Sequence, residues 1–165
     1  MTHPTRIEYI HASKFGNGAQ VAQEFQRLMR GKGDFVEVRH VREAEPRKIP
    51  PADVYVFSSP GRMGRPIGRM RRFLKKADLP SGAKYAILTT EMAPTPDKTG
   101  KMPTPEEFAK WQRVRPIMTD LLDAKHLTKV AEASVEVETT KGPLEEGWHQ
   151  KVEDFASTVS SAVTT

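Results

Sequence analysis

Ile7-Glu8-Tyr9-Ile10-His11-Ala12-Ser13-Lys14-Phe15-Gly16-Asn17-Gly18-Ala19 is the stretch on which the fold turns. Its first four residues, β-branched and aromatic in the main, read as a short strand, and Ala12 to Gly18 reads as a glycine-containing loop. Val21, Ala22, Phe25, Leu28 and Met29 then recur at intervals of one, three and four, with Gly31 and Gly33 behind them. That spacing predicts an amphipathic helix with a glycine stop. The loop therefore ends at a helix N-terminus, where free backbone N–H groups and the positive end of the helix dipole attract anions. Ser13 and Asn17 add side-chain hydrogen-bonding groups, while Gly16 and Gly18 allow close approach. Spacing alone suits a phosphate cradle and a bare strand-to-helix turn equally. The third glycine of a dinucleotide fingerprint is absent, since Val21 stands in its place, and no Gly-Lys-Ser/Thr of a triphosphate loop follows.

Outward from that unit, strands and helices alternate. Phe35-Val36-Glu37-Val38-Arg39 alternates as a second strand, and the polar, proline-rich Arg42 to Pro51 connects it to Val54-Tyr55-Val56-Phe57. The latter is apolar on both faces, as a strand covered by helices must be. Ile67, Met70, Phe73, Leu74 and Ala77 fall at helical spacing, and Tyr85-Ala86-Ile87-Leu88 forms a fourth two-faced strand. Thr89 to Pro105 reads as a long loop, whose length suggests a binding role. Phe108, Trp111, Met118, Leu121 and Leu122 share one side of a helix that Pro116 is expected to kink. Val130 to Glu138 alternates as an edge strand would, and Trp148, Val152, Phe155, Ala156, Val159 and Val163 form the stripe of a last helix. The pattern predicts an α/β fold, a three-layer αβα sandwich on a mainly parallel five-stranded sheet. Ligands of such sheets sit beyond the carboxyl ends of the strands where strand order reverses, so the loops after strands one, three and four matter most.

At 165 residues the chain has the length of one domain, read as residues 1–165, and its 37% hydrophobic and 28% charged residues suit a folded body. No run approaches the about 20 apolar residues of a membrane helix, and no apolar signal segment opens the chain, which together predict a cytoplasmic protein. The absence of cysteine excludes disulfides, thiolate metal sites and a cysteine nucleophile. The formal net charge of +5 favours an acidic partner or a phosphate-bearing ligand.

Two loops together carry a family resemblance. Ala12-Ser13-Lys14-Phe15-Gly16-Asn17-Gly18 after a strand resembles the phosphate loop of the flavodoxin family. Ser58-Ser59-Pro60-Gly61-Arg62-Met63-Gly64-Arg65-Pro66, followed by Met70-Arg71-Arg72-Phe73-Leu74, is similar to that family's second flavin-contacting loop and the helix behind it. Gly142-Pro143-Leu144-Glu145-Glu146-Gly147-Trp148 also resembles members entering their last helix. The resemblance implies a flavodoxin-like fold of strand order 2-1-3-4-5 that binds flavin mononucleotide (FMN) without a covalent link. It implies further that Ser13, Lys14, Phe15, Gly16, Asn17 and Gly18 surround the ribityl phosphate, and that Ser59, Pro60, Gly61, Arg62, Met63 and Gly64 line one side of the ring. Thr89, Thr90, Glu91 and Met92 take the third flavin loop by position. The cofactor would carry electrons, in electron transfer or flavin-dependent reduction, with a redox partner protein or a nicotinamide-type reductant. Three features depart from the family pattern. Gly18 stands where a threonine is usual, residues 59–66 and 89–100 hold no Trp or Tyr, and the chain is basic where electron-carrying members tend to be acidic.

Arg62, Arg65, Arg69, Arg71, Arg72, Lys75 and Lys76 follow one another with no acid among them, and Arg65, Arg69, Arg72 and Lys76 fall on one helical stripe. Such a stripe is either a solvated face or a surface for an acidic partner, and the second possibility leaves open a non-catalytic interaction module that keeps the fold. Nucleic acid is disfavoured because no exposed aromatics interleave with the charges. His3, His11, His40, His126 and His149 are scattered without ligand spacing, so no metal site is expected. Ser13 lacks a nucleophile-elbow context. Glu106, Glu107, Asp120 and Asp123 read as helix-surface acids, Trp111 and Trp148 as core, and no catalytic residue is assigned.

Overall fold

A computed structural model describes residues 4–164. His3 lies outside them. The strands β1 (Arg6–His11), β2 (Phe35–His40), β3 (Val54–Ser58), β6 (Lys84–Met92) and β7 (Thr128–Val137) form one parallel sheet in the order β2-β1-β3-β6-β7. The short strands β4 (Gly61–Arg62) and β5 (Arg65–Pro66) pair separately as an antiparallel hairpin. With that hairpin set aside, the sheet runs 2-1-3-4-5, the expected order.

Alternation along the strands assigns the two helical layers. Ile7 and Tyr9, Val54 and Val56, and Ala86 and Leu88 pack against α1 (Asn17–Gly31) and α5 (Trp148–Thr164). Ile10, Tyr55, Phe57, Tyr85 and Ile87 face the other way, against α2 (Gly68–Lys76) and α4 (Val114–Asp123). Phe25 of α1 stands between Tyr9 and Phe155, with ring centroids 5.3 and 5.6 Å away, and ties both helices to β1. Truncating a ring buried in this way costs about 3–5 kcal/mol.

Several local expectations change. The fourth sheet strand does not end at Leu88, because Thr89 to Met92 continue β6, paired with β7 as far as Met92 opposite Val137 and bridged to Pro60 at Thr90. The helix expected through Phe108 and Leu122 is two helices, α3 (Pro105–Trp111) and α4, parted at Gln112 and Arg113. The disturbance expected from Pro116 takes the form of a break and not a kink: the helix parts four residues before it and restarts with Pro116 in the first turn of α4, where a missing N–H leaves no helical bond unmade. Trp111, expected in the core, is 45% exposed. Arg65 belongs to β5 and not to the helical stripe, of which Arg69, Arg72 and Lys76 lie on α2. Among the described residues no helix is long and apolar enough to cross a membrane.

Candidate functional site

The carboxyl ends of β1, β3, β6 and β7 open into one cleft of about 210 Å³. At one end is the loop between β1 and α1. Gly16 is the N-cap of α1 with φ of 92°, a left-handed conformation that glycine adopts freely, and no side chain caps the helix. The N–H groups of Asn17, Gly18 and Ala19 have no acceptor among the described residues. They are three of the donors that every helix start leaves over, and they stand where the dipole favours negative charge.

Ser13 shapes this loop from both sides of its peptide. Its hydroxyl accepts from the Gly16 N–H at 3.1 Å. Its own N–H donates to Nδ1 of His11 at 3.2 Å, and its carbonyl lies 3.0 Å from Nε2 of His40. Nδ1 of His40 accepts from the Arg42 N–H at 3.1 Å, which assigns the ring proton to Nε2 and makes that atom the donor to Ser13. The two histidines end β1 and β2 at the same register position, with rings edge to face at 5.1 Å. Burial pushes His11 down to about 4, with the neighbouring His40 acting in the same direction and Glu43 opposing. His11 is therefore neutral at pH 7, and its Nδ1 lone pair stays available to the loop. Sequence spacing scatters these histidines; parallel pairing of β1 and β2 brings them together. Gly18 is buried, and a Cβ there would lie 3.1 Å from Cβ of Ser13, so the threonine usual at this position has no room unless Ser13 gives way by a few tenths of an ångström.

The second loop is a hairpin braced from behind. Met63 and Gly64 have φ of 52° and 74°, the double positive turn that joins β4 to β5 with the twist the strands require. Met63 pays for this conformation with strain of about 1–2 kcal/mol and is 81% exposed. Gly64 is held by the α3–α4 junction: its carbonyl accepts from the Arg113 N–H at 2.7 Å, and a Cβ on it would come 2.0 Å from the Trp111 carbonyl oxygen. A Cβ on Gly61 would come 2.8 Å from Cγ2 of Val114. Ser59 is buried, its hydroxyl donating to the Pro60 carbonyl at 2.9 Å and accepting from the Ile67 N–H at 3.4 Å.

Strand alternation divides the third set. Thr90 and Met92 line the cleft, whereas Thr89 and Glu91 turn to the opposite face of β6. There the Thr89 hydroxyl donates to Glu91, whose carboxylate also accepts from Nε of Arg115 at 2.7 Å; Arg115 reaches Glu132 at 3.0 Å. These two buried side chains therefore hold β6 to α4 and do not face a ligand.

Of the residues singled out from sequence, Ser13, Lys14, Phe15, Asn17, Gly18, Pro60, Gly61, Arg62, Thr90 and Met92 line one cleft. Gly16, Ser59, Met63 and Gly64 shape its loops without lining it. Ile67, Val137 and Thr140 line it and were not anticipated. Thr140 belongs to the loop after β7, where its carbonyl accepts from Nδ2 of Asn17 at 3.3 Å and Gly142 packs on Oδ1 of the same side chain. The signal for them was the rule that ligands gather at strand carboxyl ends, applied to the edge strand as well as to the central ones. The lining carries two cations, Lys14 and Arg62, and no carboxylate. An elongated ligand with an anionic end fits such a lining.

No protein-family profile matches the sequence, and no curated protein matches it. Solved structures do match. Flavodoxin 2 from Bacillus cereus superposes with a TM-score of 0.72 at 18% identity, over 95% of this chain and 99% of the other. A mutant flavodoxin from Fusobacterium nucleatum bound to flavin mononucleotide gives 0.62 at 12% identity, over 95% and 94%. The rubredoxin oxygen:oxidoreductase of Desulfovibrio gigas gives 0.72 at 13% identity over 98% of this chain, which spans only 37% of that longer one. Five parallel strands in the order found, helices on both faces and neighbours that are mostly flavodoxins over nearly their whole length make this chain a flavodoxin-like protein in its fold.

Proposed function

We propose that the chain binds FMN in the cleft and acts in electron transfer or flavin-dependent reduction. The observation that carries this reading is the row of unpartnered N–H groups at Asn17, Gly18 and Ala19, set at one end of a cleft lined by two cations and no carboxylate. A phosphate dianion matches such a row in charge and in hydrogen-bonding capacity. Ser13, Lys14, Phe15, Gly16, Asn17 and Gly18 would hold the phosphate. Ser59, Pro60, Gly61, Arg62, Met63 and Gly64 would support one side of the ring, and Thr90 and Met92 would border it on β6, while Thr89 and Glu91 keep the end of that strand in place. Bound flavin supplies the reversible uptake of electrons; the protein's share is orientation, exclusion of water and nearby charge. A flavodoxin of like fold, bound to the same nucleotide, supports the assignment.

Gly16→Asp tests the cradle. Nothing lies within 4 Å of a Cβ at Gly16, and Asp and Asn tolerate positive φ better than other side chains, so the variant has space to fold. A carboxylate beside the phosphate is expected to weaken FMN binding by at least about tenfold, or 1.4 kcal/mol, in a flavin fluorescence titration. Gly16→Asn carries the same strain without the charge and should lose much less. Equal affinity of wild type and Gly16→Asp would remove the phosphate assignment.

A further inference from the structure

The net positive charge of this protein comes from one stretch of the chain, and the hairpin in that stretch adjoins the cleft. Val54 to Ala77 contains seven cations and no acid; the other 19 cations of the chain are outnumbered by its 21 carboxylate residues. All seven side chains are exposed, and none pairs with a carboxylate among the described residues. Six of the cations elsewhere do pair, among them Arg27 with Glu24, Arg39 with Glu8 and Lys151 with Glu145. The α2 helix buries Met70, Phe73 and Leu74 and presents only charge outward. Like charges so close repel one another, so the folded chain keeps this cluster at a small cost in stability.

The geometry of the cluster selects the kind of ligand. Nine helical residues extend over about 14 Å, which with the hairpin is too wide for a single phosphate. The one aromatic ring of α2, Phe73, is 5% exposed, so the helix offers no platform for stacked bases. Exposed apolar contact is available at the hairpin tip, where Met63 projects beside Arg62, itself part of the cleft lining. An exposed methionine beside charge of one sign suits a transient protein interface, in which the charges set encounter rate and orientation.

We propose that α2 and the β4–β5 hairpin form the docking surface for an acidic redox protein, which they steer edge-on to the cleft. The proposal deepens the flavin reading and rests on it for the redox character of the partner. Because the remaining surface is slightly acidic in balance, an acidic partner is attracted to one side of the molecule and repelled by the other, and reaches the cleft already oriented.

Mitochondrial cytochrome c in two forms provides the test, native and therefore basic, or succinylated at its lysines and therefore acidic. The haem is the same in both, so surface charge is the variable. FMN-loaded protein, reduced with dithionite and freed of excess, passes one electron to each ferric haem iron, and stopped-flow absorbance reads the rate. At low ionic strength the succinylated form should be reduced at least about tenfold faster, within the range that steering provides. The advantage should vanish near 1 M salt, where screening acts within about 3 Å. Arg65→Glu, Arg69→Glu and Arg72→Glu combined, at sites outside the cleft lining, should reverse the preference. Faster reduction of the native form, rates indifferent to salt, or a ratio unmoved by the triple variant would each overturn the proposal. Calorimetric titration of the flavin-free protein with succinylated cytochrome c reads the surface alone: binding there without any flavin uptake would refute the flavin reading and leave the acidic-partner surface standing. Tighter binding of a 20-base-pair DNA duplex than of the succinylated protein in the same buffer would assign the surface to nucleic acid and overturn the proposal as well.

Discussion

Replacing Gly64 by alanine isolates the contact that fixes the second loop. Three effects add at that position. The backbone has φ of 74°, which costs a residue with a Cβ about 1–2 kcal/mol. The new methyl group would also lie 2.0 Å from the Trp111 carbonyl oxygen, and both neighbours are backbone, so the hairpin or the α3–α4 junction has to move by more than an ångström. Overpacking of this kind costs about 1–3 kcal/mol. The displacement also breaks the 2.7 Å bond from the Arg113 N–H to the Gly64 carbonyl, with a net worth of about 1 kcal/mol. Gly82→Ala is the control: its φ of 84° carries the same strain, and nothing lies within 4 Å of the added carbon. The difference between the variants is therefore the contact alone, about 2–4 kcal/mol. For a chain of this size one kcal/mol moves the melting temperature by about 2–4 °C, so Gly64→Ala should melt at least about 4 °C below Gly82→Ala in calorimetry. Equal melting temperatures would show that residues 111–113 do not brace the loop.

Two further outcomes follow from buried ionisable groups. His11 titrates near 6.5 in the unfolded chain and is pushed down to about 4 in the fold, chiefly by burial, so the unfolded state binds more protons between those values. Stability should be lost as pH falls from about 6.5 towards 4, with no further loss from this group below that; His11→Asn, whose amide oxygen can replace Nδ1 as acceptor for Ser13, should show a smaller drop in melting temperature from pH 7 to pH 4.5, and an unchanged drop would contradict the assignment. Glu8 is wholly buried and accepts from Nε of Arg39 at 2.9 Å, with Arg39 itself 35% exposed. Arg39→Ala should therefore cost about 3 kcal/mol in urea unfolding by leaving a lone buried carboxylate, and the added change Glu8→Gln should recover part of the loss.

What the sequence discloses and what it conceals divide along one physical line. Elements whose residues declare their own burial were legible: Val54 to Phe57 is apolar on both faces and is the central strand, and Phe25 and Phe155 mark the inner sides of the helices that cover it. The two glycine loops were legible as neighbours because sheet topology sends both to the same end. Concealed were features made by contacts distant in the chain. Thr89, Thr90 and Glu91 look like loop residues because they are polar, yet they are buried in β6, where Arg115 supplies the charge that lets Glu91 leave water. The break between α3 and α4 falls at Gln112 and Arg113, four and three residues before Pro116, which cannot bond the Gln112 carbonyl in a continuous helix; the sequence did not show that the freed Arg113 N–H would turn to Gly64. His11 and His40 meet only because β1 and β2 pair in parallel register. Gly18 stands where a threonine is usual, and its packing against Ser13, invisible in the sequence, gives that departure a steric reason.

The central claim is that the N–H groups at the start of α1 receive a phosphate. Comparing the affinities of FMN and riboflavin for the wild-type protein tests it most directly, because the two differ only in that group. The cradle should make FMN bind at least about 100-fold more tightly, or 2.8 kcal/mol, as a dianion held by several charge-assisted hydrogen bonds requires. Equal affinities would mean that the phosphate finds no partner in this loop and would contradict the account at its foundation.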